Sequence, residues 1–325
     1  MTAELKVGVI GCGGHAQSHF AMIKAEPRMK LVAIAELNET RRAEAQAKHQ
    51  PEAVFGDYRD MLDKAQLDVV YVVTLAGHLL PIVKECLGRN LHTSIEKAPG
   101  YTTAETRQMV EAAHKSKGKA IVSFNRRYMP EILTVRRLAQ ERGGAVSVAA
   151  NYHKTIEGVV PPEEQRVVPP ELTSDAIHHV DLIRWMTGRT TPEARTAVEV
   201  YAHTWNGAGL PAPHHNAVIK FDDHTHGVMM SHFGVGFRIQ SAEVHADNLS
   251  AYLDLTRKPK VTLYLDGKLV EEPLDLDAVG GPGFNETGHF VDCILNDSEP
   301  WSTIDDAVKT MELCEAIVGG HQGAL

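Results

Sequence analysis

KVGVIGCGGHAQSHF, residues 6–20, is the stretch on which the reading of the whole chain turns. Val7, Val9 and Ile10 form a short apolar run of strand type, which stops at Gly11-Cys12-Gly13-Gly14-His15-Ala16 and passes into a helical pattern. A buried strand that feeds a glycine turn and then a helix is the setting a dinucleotide fingerprint requires. In that reading Gly11 permits the tight turn, Gly13 lets the backbone approach a pyrophosphate, and Ala16 is small enough for the helix to pack on the strand. Gly14 and His15 open the helix, whose free N–H groups hold the anion. An ordinary β-turn-α corner has the same local pattern, so the hexapeptide needs support from the rest of the chain.

That support is the alternation that follows. Strand patterns at 6–10, 29–35, 53–55, 68–74, 91–95 and 120–124 are separated by helical patterns at 16–25, 39–49, 58–64, 78–87 and 103–116. The run DVVYVVT at 68–74 is almost continuously apolar, as in a strand buried on both faces. The pattern predicts a doubly wound parallel sheet, a Rossmann domain over residues 1–124. The remainder, 125–325, reads differently. Helices are expected at 129–141 and 172–186, with a loop carrying four prolines at 158–170 between them. Strands follow at 197–203, 216–221, 227–233, 239–246, 249–256 and 261–265, with hairpin signals at Asp222-Asp223 and Asp266-Gly267, and helices at 284–295 and 303–318 close the chain. Strands in succession without intervening helices predict an antiparallel sheet. The fold class is therefore α/β with two domains, which suits 325 residues.

Composition excludes several function classes. Hydrophobic residues make up 43%, enough for two cores, and the formal charge is −9 with no block of Lys or Arg, so nucleic acid is not an expected partner. No apolar run approaches the roughly 20 residues needed to cross a bilayer. The first residues, MTAELKVGV, lack the charged start and apolar core of a signal peptide, and Cys12, Cys86, Cys293 and Cys314 show no CxxC spacing. A cytoplasmic protein with reduced thiols is expected. His214-His215 and His224-x-His226 offer no complete ligand set, so no metal is expected.

Three places carry chemistry. Glu36 ends the second strand pattern, where a carboxylate binds both ribose hydroxyls of an adenosine and repels a 2′-phosphate; NAD is favoured over NADP, although Arg41 and Arg42 stand nearby. Lys97 lies just past the end of a strand in IEKAPG, on the side of an open α/β sheet where ligands gather, and Pro99-Gly100 give the corner a sharp exit. A lysine there can stabilise or protonate an oxyanion. The run Ser174-Asp175-Ala176-Ile177-His178-His179-Val180-Asp181 opens a helix; at helical spacing Asp175 and His178 share a face, as do His178 and Asp181.

In this order, the G-x-G-x-x-A turn, Glu36, the segment from Thr74 to His78, Glu96-Lys97-x-Pro99 and the helix IHHVDLIRWMTG make the chain resemble the glucose-fructose oxidoreductase / inositol dehydrogenase / rhizopine-catabolism (MocA) family. The resemblance implies an N-terminal Rossmann domain and a C-terminal α+β substrate-binding domain with a large, mostly antiparallel sheet that commonly forms a homodimer or homotetramer interface. It implies Lys97 and His178 as the active-site pair, with Asp175 in place of the Asp that the family often carries four residues before the histidine. It also implies Thr74, His78 and Glu96 beside the cofactor, and Arg127, Tyr152 and His153 against the substrate. The expected activity is hydride transfer between NAD and a secondary alcohol of a sugar or cyclitol, with a small polyol or sugar as the ligand and neither nucleic acid nor membrane as partner. Two other classes stay open: a hydrolase or lyase using tightly held NAD transiently, and a cofactor-bound regulator without turnover.

Overall fold

The computed structural model describes residues 4–161, 163–207 and 212–325. In the first part of the chain, strands Leu5–Ile10 (β1), Met29–Ala35 (β2), Ala53–Phe55 (β3), Val69–Val72 (β4), His92–Ile95 (β5) and Ala120–Val122 (β6) alternate with helices Ala16–Ala25 (α1), Glu39–His49 (α2), Tyr58–Lys64 (α3), Ala76–Gly88 (α4) and Thr103–Ala113 (α5). All pairings are parallel, in the order β3-β2-β1-β4-β5-β6. This is the doubly wound arrangement, and its strand order reverses between β1 and β4. β4 is buried along its whole length, as its unbroken apolar run requires. Local signals set the helix ends: Asn38, Asp57 and Thr102 each accept a backbone N–H as N-caps of α2, α3 and α5.

The second part begins with Pro130–Gln140 (α6) and Ser147–His153 (β7), followed by Ile177–Thr187 (α7). Strands Ala197–Asn206 (β8), Pro213–Phe221 (β9), His226–His232 (β10), Ile239–Ala246 (β11), Leu249–Asp254 (β12), Lys260–Leu265 (β13) and Lys268–Leu269 (β14) come next; helices Glu286–Leu295 (α8) and Ile304–Val318 (α9) and the short strand Gln322–Ala324 (β15) complete the chain. The nine strands form one sheet, β14-β13-β12-β11-β7-β10-β9-β8-β15, antiparallel except where β10 meets β7. Asp266 and Gly267 both take positive φ in the β13–β14 turn, the conformation the Asp-Gly signal calls for. One face of this sheet is buried with α7, which is buried at ten of its eleven positions. The other face presents the alternate residues of each strand. Part of the 158–170 proline loop, Pro162, lies outside the described residues.

Two features depart from the sequence reading. The first concerns grouping: residues 4–123 pack with Glu286–Ala307 as one compact unit, and Phe124–Asn285 with Val308–Leu325 as another. A single division at 124/125 does not describe this. The physical reason lies at β6, where Val122 N–H donates to the Ser302 carbonyl (2.9 Å) and Ser302 Oγ donates to the Val122 carbonyl (2.7 Å). The later segment thus satisfies an edge strand that would otherwise expose its polar groups. The second concerns the helix expected over 172–186. Leu172–Ala176 is a π-turn and the α-helix begins only at Ile177. π-turns of this kind are frequent at functional sites.

Candidate active site

In the first unit, the loop after β1 is shaped by one glycine. Gly11 has φ +88°, and a Cβ there would stand 2.2 Å from the Val73 carbonyl oxygen and 3.3 Å from Thr74 Cγ2, so the β1 and β4 loops meet with no room for a side chain. Around Gly13 and Gly14 the space is open: a Cβ on Gly13 would meet only Arg41 Nη1 at 3.9 Å, and one on Gly14 nothing within 4 Å. His15 makes no side-chain cap bond and α1 has no acidic residue in its first turn, so no carboxylate of its own competes with an anion at this end, where the Ala16 and Gln17 N–H groups turn back to the Gly13 and Gly14 carbonyls at 3.1 and 3.3 Å. Ala16 is fully buried against the sheet.

Glu36 closes this loop from the end of β2. Its Oε2 accepts the Cys12 N–H at 2.8 Å and its Oε1 accepts the Asn38 N–H at 2.8 Å. Each carboxylate oxygen keeps a further lone pair for a ribose hydroxyl. The Arg41 guanidinium comes only to 4.0 Å from Glu36. An open glycine cradle beside a fixed carboxylate fits NAD, whose adenosine ribose carries two free hydroxyls.

The Lys97 corner follows β5 and is held from α5: Thr106 Oγ donates to the Pro99 carbonyl at 2.6 Å, and Tyr101 N–H donates to Glu105 Oε2 at 2.6 Å. Lys97 itself is half-buried. Glu96, expected beside the cofactor, is turned into the unit, where Oε2 meets His19 Nε2 at 3.0 Å and Oε1 lies 3.7 Å from His15 Nδ1. Burial opposes its ionisation, but hydrogen bonds from His15 and His19 and the charges of His19 and Lys97 outweigh it and pull the carboxyl down to about 2. Behind it sits Glu286 of α8, whose Oε2 accepts from Ser123 Oγ at 3.2 Å while Oε1 is buried with no partner among the described residues. Burial is the main cause that lifts Glu286 to about 7. His19 and Glu286 were not singled out in the sequence. His19 was findable, since it stands four residues after His15 on the same face of α1; Glu286 had no local signal. Thr74 stands at the Gly11 turn and His78 is exposed on the first turn of α4.

In the second unit the structure sorts the candidates. His178 is half-buried. His179 is fully buried edge-on to Tyr152, with ring centroids 5.1 Å apart and neither ring nitrogen partnered among the described residues. Burial, then the charges of Arg126 and Arg238, hold its pKa well below the usual histidine range, so it is a neutral core ring. Asp175, on the π-turn, pairs with Lys154 at the end of β7. Tyr152 is buried and its hydroxyl pKa is raised, by burial first and then by the Asp175 charge.

Two expectations need correction. Arg127 does not face a ligand: its Nε and Nη2 bond Asp181 Oδ2 and Oδ1 at 2.8 and 2.6 Å, and both side chains are 0% exposed. Thr310 Oγ also donates to Asp181 Oδ1 at 2.9 Å. A buried carboxylate on α7 demands a buried cation, and Arg127 is it. His153 does not share a face with Tyr152. Successive residues of a strand point to opposite sides, and His153 lies on the open face, stacked on His232 with centroids 4.9 Å apart. Among the described residues no group of three metal-ligating side chains is placed to hold a metal ion, and no helix is long and apolar enough to cross a membrane.

A glycine cradle, a carboxylate placed for a ribose and the 3-2-1-4-5-6 strand order define a dinucleotide-binding domain of the Rossmann type. Residues 5–124 match the family model of the GFO/IDH/MocA group, described as an oxidoreductase family with an NAD-binding Rossmann fold. An uncharacterised oxidoreductase YrbE of Bacillus subtilis is 27% identical over 215 residues, 66% of this chain and 60% of that one. Inositol 2-dehydrogenase 2 of Saccharopolyspora erythraea is 27% identical over 213 residues, 64% of this chain and 60% of that one. The match thus spans less than two thirds of either relative's length. Across the whole fold the chain resembles the aldose-aldose oxidoreductase of Caulobacter crescentus, crystallised with glycerol, with a TM-score of 0.84 at 18% identity over 98% of this chain and 97% of that one.

Proposed function

We propose that this protein is an NAD-dependent dehydrogenase acting on a secondary alcohol of a sugar or cyclitol. The observation that carries the reading is the first unit's pairing of a fitted NAD cradle with Lys97 on a braced corner at the carboxyl end of the same parallel sheet. Its kinship with inositol 2-dehydrogenase supports the substrate class. When bound, NAD supplies a hydride acceptor at the nicotinamide ring. Gly11, Gly13, Gly14, His15 and Ala16 hold its phosphates and Glu36 its ribose, with Thr74 and His78 lining the approach and Glu96 bracing the loop from behind through His15 and His19. His178 takes the hydroxyl proton of the alcohol as general base, a role closed to His179 by its burial. Lys97 hydrogen-bonds the same oxygen as it becomes a carbonyl and steadies the charge that develops there, and in the reverse direction His178 returns the proton. Asp175, through its pair with Lys154, fixes the polar side of the substrate position, and Tyr152 packs beneath it. Four free, buried cysteines suit a reducing compartment and hence a cytoplasmic location. The open face of the nine-stranded sheet, with Tyr201, Val218, Val228, Ile239, Tyr252 and Tyr264 exposed, suits self-association into a homodimer or homotetramer.

The test is purified protein with NAD and a panel of polyols and sugars, read at the NADH absorbance. Turnover on at least one member is expected. In the Lys97→Ala variant it should drop by a factor of about 100 or more, the scale of a lost hydrogen-bond donor to the developing oxyanion. Full turnover in that variant would remove the mechanism.

A further inference from the structure

Among the described residues of the second unit, no carboxylate balances the cation of Arg126. Arg126 is largely buried: Nη2 donates to Gln240 Oε1 at 2.7 Å, Nη1 reaches only Asn125 Oδ1 at 3.4 Å and Met129 Sδ at 3.7 Å, and Nε is buried without an acceptor. Among the described residues no carboxylate pairs with it. Gln240 is itself fixed, its N–H donating to Thr256 Oγ at 3.1 Å, so the guanidinium is held rather than loose. Arg238 lies just before β11 and is exposed, two residues before the buried Gln240, and its charge acts unfavourably on that of Arg126. The neighbours are Tyr152, directly opposite Gln240 in the β7–β11 register, His179 against Tyr152, and Asp175. His179 is neutral and the Asp175 carboxylate is taken by Lys154. The charges of Arg126 and Arg238 thus act on Tyr152 together with that of Asp175, the one carboxylate there, which Lys154 already takes. A largely buried guanidinium without a counter-charge is expensive unless an anion visits it. Its neighbour Arg127, one residue along, shows the ordinary solution, a bidentate carboxylate.

We propose that the alcohol this protein oxidises carries an anionic group, a carboxylate or a phosphate, and that Arg126, assisted by Arg238, binds it. The inference rests on the dehydrogenase reading for the identity of the ligand as substrate, and the hydride step is unchanged by it. A planar guanidinium with free N–H groups matches either oxyanion in fork geometry. An acidic sugar, an aldonate or uronate, or a sugar phosphate is therefore the substrate class, and neutral polyols bind less well.

Calorimetric titration of the full chain with gluconate, glucose 6-phosphate and the neutral glucitol, each with and without NADH, tests this. The anionic probes are expected to bind at least about tenfold more tightly than glucitol at low salt, the scale of one charge-assisted hydrogen bond. Arg126→Gln should abolish that preference, Arg126→Lys should restore part of it, and NADH affinity should be the same in all three proteins. A tighter gluconate complex assigns the carboxylate and a tighter glucose 6-phosphate complex the phosphate. Should Arg126→Gln fail to fold, Arg238→Gln is expected to cut the preference by a factor of about three or more. Equal binding of neutral and anionic probes, or a preference that survives both substitutions, overturns the proposal. Absence of NADH binding would instead sink the dehydrogenase reading, and the probe preference is measured independently of it.

Discussion

Single residues separate what the glycine loop needs for folding from what it needs for the cofactor. Gly11 is required by the backbone: its φ is +88° and a Cβ would stand 2.2 Å from the Val73 carbonyl. Gly11→Ala should therefore cost about 2 kcal/mol or more of stability, seen as a lowered midpoint in thermal or urea unfolding. Gly13 has no such conflict, since its Cβ would meet only Arg41 Nη1 at 3.9 Å. Gly13→Ala should unfold as wild type does, yet weaken NADH binding by about tenfold or more, because the added methyl occupies space the pyrophosphate needs. Equal losses of stability in the two variants would contradict this division. Glu286 offers a second test. Burial raises its carboxyl from 4.5 to about 7 in the folded protein, so the native state holds its proton more tightly than the unfolded chain does. The stability this contributes is fully present below pH 4.5 and is lost as pH rises through about 7. Glu286→Gln, which mimics the protonated acid, should match wild type near pH 5 and exceed it near pH 8 by at most about 3 kcal/mol. The measurement is Tm against pH for both proteins; parallel curves would show that Glu286 is ionised in the fold.

At the level of elements, α7 depends on one ion pair that lies wholly inside. Arg127 and Asp181 are 0% exposed and bonded twice, and Asp181 also accepts from Thr310. Asp181→Asn leaves a buried guanidinium without its counter-charge and should cost about 3–5 kcal/mol, whereas NADH affinity of the folded fraction, a property of the first unit, should not change. Denaturant unfolding and a fluorescence titration read the two quantities separately. The same pair shows where sequence reading stops. The alternation of strands and helices, the glycine turn and Glu36 were legible because period, turn chemistry and register are local. Which of two adjacent arginines is buried is decided by Asp181, 54 residues away, and no local pattern carries that. His153 was placed on the wrong side because one step along a strand reverses the face. The α-helix onset at Ile177 was missed because a π-turn adds a residue without altering composition. Glu286 reached the His19–Glu96 cluster from the far end of the sequence, which also defeated a single domain division.

On the scale of the whole molecule, the open face of the nine-stranded sheet decides whether the protein acts alone. Pairing in register lines up Tyr201, Val218, Val228 and Ala149 across β8, β9, β10 and β7. Tyr201, Val218 and Val228 are 50%, 48% and 37% exposed, and beyond Glu243 of β11 the rings of Tyr252 and Tyr264 add a second apolar area on β12 and β13. A contiguous apolar patch on an open sheet face is costly in water and is normally covered. Self-association through a two-fold axis places each such row against its own copy, so one substitution acts twice in every interface. Val228→Glu, with Val218→Glu as a second version, sets like charges against each other at the centre of the patch, where each carboxylate would have to be buried without a partner. The expected outcome is a fall from dimer or tetramer to monomer in size-exclusion chromatography with light scattering, with NADH affinity retained because the cradle lies in the first unit. A wild-type protein that is monomeric at micromolar concentration would remove this face as an interface, and variants that stay assembled would place the interface elsewhere.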